Sequence, residues 1–139
     1  MELPDRVAPE VLKAWHELAD WVVSDLTAAG LPVTLIRTSD ELRPEEGVSV
    51  EIDPFGDAAG GVFARWNASP ALTRAATEAL ERADHQAHAL QHLGVIVEAM
   101  RNAMRAILIS AGYEVLDEDD IHVLELRIVA GPVSPTEHA

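Results

Sequence analysis

Apolar positions along the chain recur with two periods, and the changes of period mark the elements. Val11, Trp15, Leu18, Val22 and Leu26 follow steps of four and three, the spacing of one buried helix face. Pro9 and Glu10 suit a first helical turn and Gly30 a left-handed stop, so residues 9–29 read as a helix. "PVTLIRTS" (32–39) reads as a strand, and "DELRPEEG" (40–47) as a turn-rich connector. In "VSVEID", Val48, Val50 and Ile52 point one way, Ser49 and Glu51 the other. "VFARWN" alternates again, with Val62, Ala64 and Trp66 inward against Phe63, Arg65 and Asn67. The Gly-rich "PFGDAAGG" between them predicts an antiparallel hairpin, with Glu51 and Arg65 placed to pair across its outer face.

Ser69 and Pro70 then supply a helix cap and a first-turn proline. The seam that follows is the longest in the chain: Leu72, Ala76, Ala79, Ala83, Gln86, Leu90, Leu93, Val97, Met100, Met104, Ile107 and Ala111, closed by Gly112. A continuous helix over it would be about 60 Å long, against a diameter on the order of 37 Å for a compact domain of this size. Either the helix overhangs and a second chain covers it, or it bends, as two packed segments or as one kinked helix. The break is expected at the His-rich stretch, where Gln86 weakens the seam and Gly94 lowers helix propensity. After Gly112, "YEVL" and "IHVLELRIV" flank "DEDD" as a second hairpin, with Leu124, Leu126 and Ile128 on its buried face.

These elements predict an α+β fold. An antiparallel sheet of about five strands is covered on one face by the N-terminal helix and a long, possibly broken, central helix. One domain over residues 1–130 and a Pro-rich polar tail over 131–139 account for the chain, with no internal repeat.

Composition narrows the function classes. The net charge of −14 opposes a phosphate backbone and an anionic membrane surface, so neither nucleic acid nor membrane is an expected partner. With no cysteine there is no disulfide, thiolate nucleophile or Cys-ligated metal. The N-terminal stretch lacks the pattern of a signal peptide and no run of 18 apolar residues occurs, so a cytoplasmic protein is expected. Nine arginines to one lysine, with much alanine, suit a GC-rich bacterial genome.

The one concentration of chemistry is "DHQAHALQH" (84–92), which holds His85, His88 and His92. On a continuous helix these point roughly 120–180° from the seam, a solvated face. His88 and His92, at i and i+4, are spaced to chelate one zinc or other divalent ion. His85 and His92 are about 10 Å apart along the axis, so all three cannot meet at one metal. A metal or pH sensor, or a small metal-dependent enzyme, is therefore the alternative reading. "DEDD" lacks the register of a calcium loop, and the Gly pair at 60–61 lacks a phosphate-binding pattern. No catalytic motif is legible, so the balance leans away from an enzyme and from any cofactor.

The order of elements, the acidity and the size resemble the small dimeric chaperones of type III secretion and related α+β adaptors, in which a long helix commonly contributes to the dimer. The terminal helix those chaperones usually carry has no counterpart in the predicted elements. The resemblance implies a non-catalytic, homodimeric interaction module with a possible protein partner. Trp21, beside the first helix's seam, and Leu90, Val97, Met100 and Met104 on the long one are the expected interface.

Overall fold

The structure, a computed structural model, describes residues 6–37, 41, 44–55, 60–116 and 125–132. Within them the order is α1 (Pro9–Ala28), β1 (Val33–Ile36), β2 (Gly47–Asp53), β3 (Gly61–Asn67), α2 (Pro70–Glu81), α3 (His88–Ser110), β4 (Glu114–Leu116) and β5 (Glu125–Ala130). The fold is α+β, and the sheet order is β1-β2-β3-β5-β4. The expected "DEDD" turn, Leu124, Asp57 and residues 133–139 lie outside the described residues.

Helix α1 forms where its seam predicts, with Leu18, Val22 and Leu26 buried. Pro9 starts it. Gly30 (φ +94°) ends it through Gly30 N–H to Thr27 O and Leu31 N–H to Leu26 O. These two bonds satisfy carbonyls the helix leaves open, and they need a left-handed residue at the turn. Gly112 (φ +101°) closes α3 the same way, with Tyr113 N–H donating to Leu108 O.

The sheet is mixed rather than purely antiparallel: β1 pairs with β2 in parallel, Val33 opposite Val48 and Leu35 opposite Val50. Chain length allows this. The ten residues 37–46 reach about 33 Å, whereas the four residues of β1 rise about 13 Å, so the chain has enough slack to return to the same end. Gly47 marks the return, with φ +90° and no room for a Cβ beside Pro32 O, which accepts from Val48 N–H. The other pairings, β2–β3, β3–β5 and β4–β5, are antiparallel.

One face of the sheet carries the core. Val48, Val50, Val62, Ala64, Leu126 and Ile128 meet Leu18, Val22 and Leu26 of α1 and Met104 and Leu108 of α3. On the opposite face a row runs Ile36, Glu51, Phe63, Arg127 and Leu116 across all five strands. Phe63, expected to face outward, does lie on this second face, yet it is only 2% exposed, with the Arg127 guanidinium 5.8 Å from its ring centroid. Glu51 and Arg65, expected to pair, are not directly opposite in the sheet. Arg65 lies between Ser49 and Glu125, and Glu51 is diagonal to it.

The long seam is divided. α2 ends at Glu81 and α3 begins at His88, and α2 packs principally on α3 as an antiparallel helical hairpin. The hinge is Ala83, the one non-glycine residue at positive φ (+54°) among those described. Its N–H donates to Leu80 O and that of Asp84 to Ala79 O. This is the same two-bond ending as at Gly30 and Gly112, with alanine where the other two have glycine.

Candidate interaction surface

The hinge decides the histidine geometry. His85 lies in the turn, off either helix, and Gln91 of α3 reaches back to its carbonyl at 3.3 Å. His88 and His92 occupy the first turns of α3, their rings stacked at 5.3 Å between centroids and 14° between planes. All three are exposed. His85 is thus separated from the stacked pair, and among the described residues no group of three or more His, Cys, Asp or Glu is placed to hold a metal ion. No helix of the described residues is long and apolar enough to cross a membrane.

The seam residues named from sequence are used within the chain to different depths. Met104 is 1% exposed and belongs to the core. Leu90, Val97 and Met100 are half-buried, on the same side of α3 as Met104. Trp21 is half-buried against the core, and Gly131 passes so close that a Cβ there would stand 3.0 Å from its indole ring. The deepest α3 side chain besides Met104 is Leu108, one position beyond the seam residue Ile107.

Apolar surface is open on the opposite side of α3, as it is at Leu80, Leu116, Val129 and Val11 elsewhere in the fold. Val95 is 64% and Ile109 49% exposed, and Ala99, Asn102, Ala103 and Ala106 are exposed between them. At about 100° per residue, Ala99, Asn102, Ala106 and Ile109 all fall within about 45° of Val95, a line about 21 Å long. No ionisable residue lies in that strip from Val95 to Ile109. Glu98 and Arg105 border it, both on the same flank. The strip carries no charge in a chain whose net charge is −14. A second helical wheel drawn opposite the seam would have found it in the sequence: Val95 and Ile109 repeat at fourteen residues with only small or neutral residues in line between.

A concavity lies at the end of the sheet, where Trp66, Pro32, Leu72 and Ile96 form an open cleft of about 420 Å³ beside Glu46. Asn67 closes its inner wall. Its amide donates to Gly47 O at 3.0 Å and to the buried Ser49 Oγ at 3.2 Å, and so ties the ends of β2 and β3. On the other side of the molecule Arg37 bridges α1, donating to Asp20 Oδ1 at 2.8 Å with His16 Nδ1 at 2.9 Å. These side chains are largely exposed and serve to hold the chain after β1 against α1.

No protein-family model matches the chain, and neither a curated protein nor a solved structure matches it.

Proposed function

We propose that the chain is a non-catalytic protein-interaction module, working as a homodimer of the chaperone-like or adaptor kind, with the outer face of α3 as its contact surface. One observation carries this reading: the uncharged strip from Val95 to Ile109, with two large aliphatic side chains about half or more exposed. An apolar surface is worth roughly 25 cal/mol per Å² when taken out of water, and exposed apolar patches of this kind mark contact sites. A strip free of carboxylates is also where two copies of an acidic protein meet at the lowest electrostatic cost. Sedimentation equilibrium from about 1 to about 200 µM tests it, the range expected for a small interface. The mass should rise from 15.0 kDa towards twice that value. A mass that stays at the monomer throughout overturns the reading.

The stacked pair His88–His92 favours a second reading, a metal-responsive module with two imidazoles as the protein's share of the ligands. Calorimetric titration with zinc separates the two. Heat of binding that disappears in His88→Ala supports the metal reading, and no heat with the wild-type chain removes it.

A further inference from the structure

We infer that a divalent ion of the zinc kind, held between His88 and His92, staples the first turn of α3 and so orders the corner that joins α2 to α3. The inference rests on the metal-responsive reading above and names what the ion does there. The spacing of the two rings suits one ion. With Zn–N bonds of about 2.0 Å and a ring nitrogen about 1.1 Å from its ring centre, an ion lies about 3.2 Å from each centre. A tetrahedral angle of about 109° then sets the two centres about 5.2 Å apart. The rings of His88 and His92 already stand 5.3 Å apart, with 14° between their planes. Rotation about the outer bond of each side chain, a soft torsion in histidine, is what remains to aim a nitrogen of each ring at the shared point. Both side chains are exposed. Two imidazoles leave the other positions of the ion to water, so binding is weaker than in a closed four-ligand site. Imidazole ligands also select zinc, copper or nickel over magnesium and calcium.

The start of α3 is where such a staple changes most. α1 begins with Pro9 and Glu10, and α2 with Pro70 and the Ser69 cap. α3 has no side-chain cap at Ala87, no acidic residue in its first turn and no proline there. Among the described helices it alone starts without any of these aids. His88 and His92 are one turn apart, and in helical geometry the His92 N–H points at the His88 carbonyl. An ion joining their side chains spans the turn that this bond closes. Gln91, next to His92, donates to His85 O and to Gln86 Oε1, each at 3.3 Å. Fixing the turn that carries Gln91 therefore also fixes the corner it reaches back to, beside the left-handed Ala83. The positive end of the helix dipole opposes a cation here, a penalty that salt screens on an exposed face. Attraction from the chain's net charge of −14 works the other way.

Amide hydrogen exchange of the whole chain reads the staple, with zinc absent and with zinc at about ten times its wild-type dissociation constant. Opening of the first turn then has to release the ion, so exchange at Gln91, His92 and Leu93 should slow by about tenfold. Magnesium at the same concentration should change nothing. The slowing should vanish in His88→Ala and in His92→Ala, and survive in His85→Ala, whose residue lies in the turn. The replaced side chains are exposed, so the fold is kept. Each variant is compared with itself without zinc, which cancels the helix preference of alanine. Zinc heat that disappears in His88→Ala while exchange at these three amides stays unchanged overturns the staple and leaves the metal-responsive reading standing. Slowing that persists in His88→Ala, or that magnesium reproduces, also overturns the staple, because the ion then acts from elsewhere. No zinc binding by the wild-type chain overturns both.

Discussion

The phenol of Tyr113 donates a hydrogen bond to Asp25 Oδ2 at 2.6 Å, joining residues 88 positions apart. Asp25 lies in the last turn of α1, where unpaired carbonyls make a carboxylate unfavourable. Tyr113, 4% exposed, follows the Gly112 turn at the end of α3. The bond thus couples the two helices that cover the sheet. Hydrogen bonds to charged groups contribute about 1.5–3 kcal/mol, so Tyr113→Phe should lower urea-measured stability by about 2 kcal/mol. Asp25→Asn, which keeps an acceptor and removes the misplaced charge, should cost less. A larger loss for Asp25→Asn than for Tyr113→Phe would contradict this account.

The same site predicts behaviour at high pH. Burial above all, then the hydrogen bond to Asp25 and its negative charge, drive the Tyr113 phenol well above its ordinary value. The folded value exceeds the unfolded one, so the stabilising contribution is complete below about pH 10. Above that the unfolded chain ionises first, and stability should fall by up to about 1.4 kcal/mol per pH unit. Tyr113 is the chain's single tyrosine, so the phenolate absorbance band reports it alone. That band should stay absent past pH 10 and appear only as the chain unfolds. A smooth titration near pH 10 with the fold intact would count against the buried bond.

Ala83 is the strained point of the helical hairpin. A left-handed conformation costs a non-glycine residue about 1–2 kcal/mol, and glycine gives back about 0.5–1 kcal/mol through its freer unfolded state. Ala83→Gly should therefore stabilise the chain by about 0.5–1 kcal/mol in urea, since the exposed methyl packs little. Destabilisation would mean that the turn is not left-handed in solution.

Gly94 is the converse case. It lies inside α3, exposed, with nothing within 4 Å of where a Cβ would stand. Gly94→Ala should raise stability by about 0.8 kcal/mol from helix propensity alone. A loss on thermal melting would show that the position needs the freedom of glycine.

What was legible in the residues divides along the range of the forces involved. Periodicity located α1 almost to the residue and found the inward sides of β2 and β3, because apolar burial acts on every element alike. Ser69 was legible as a cap, and its Oγ accepts from Leu72 N–H at 3.3 Å. The seam through residues 72–111 holds as inward positions on both sides of its break, and Gln86 marked the right stretch for that break, between Glu81 and His88. The turn itself was not legible, because alanine at position 83 gives no local signal for a left-handed conformation. Parallel pairing of β1 was invisible for another reason: a short strand carries the same alternation in either direction, and only the tertiary fit of Gly47 on Pro32 decides between them. The histidines drew attention by composition, whereas the strip from Val95 to Ile109 is made of unremarkable residues and shows in the sequence only on a wheel drawn opposite the seam.

The parallel start of β2 gives the last expectation. At Gly47 a Cβ would stand 2.9 Å from Pro32 O and 3.0 Å from Pro32 Cγ, and φ is +90°. Two penalties therefore add: the left-handed backbone, about 1–2 kcal/mol, and a clash with a carbonyl that is already accepting from Val48 N–H. Pro32 O belongs to the backbone and its ring is rigid, so neither can swing away as a flexible side chain would. Gly47→Ala should cost about 2–4 kcal/mol in denaturant unfolding, within the range of mutations that strain a special backbone position. The damage should be local to one end of the sheet. Hydrogen exchange should quicken at Val48 and Val50, where β1 pairs with β2, more than at Leu126 and Ile128 on the far side. Uniform acceleration across the sheet, or no loss of stability, would mean that β1 does not pair in parallel at this edge.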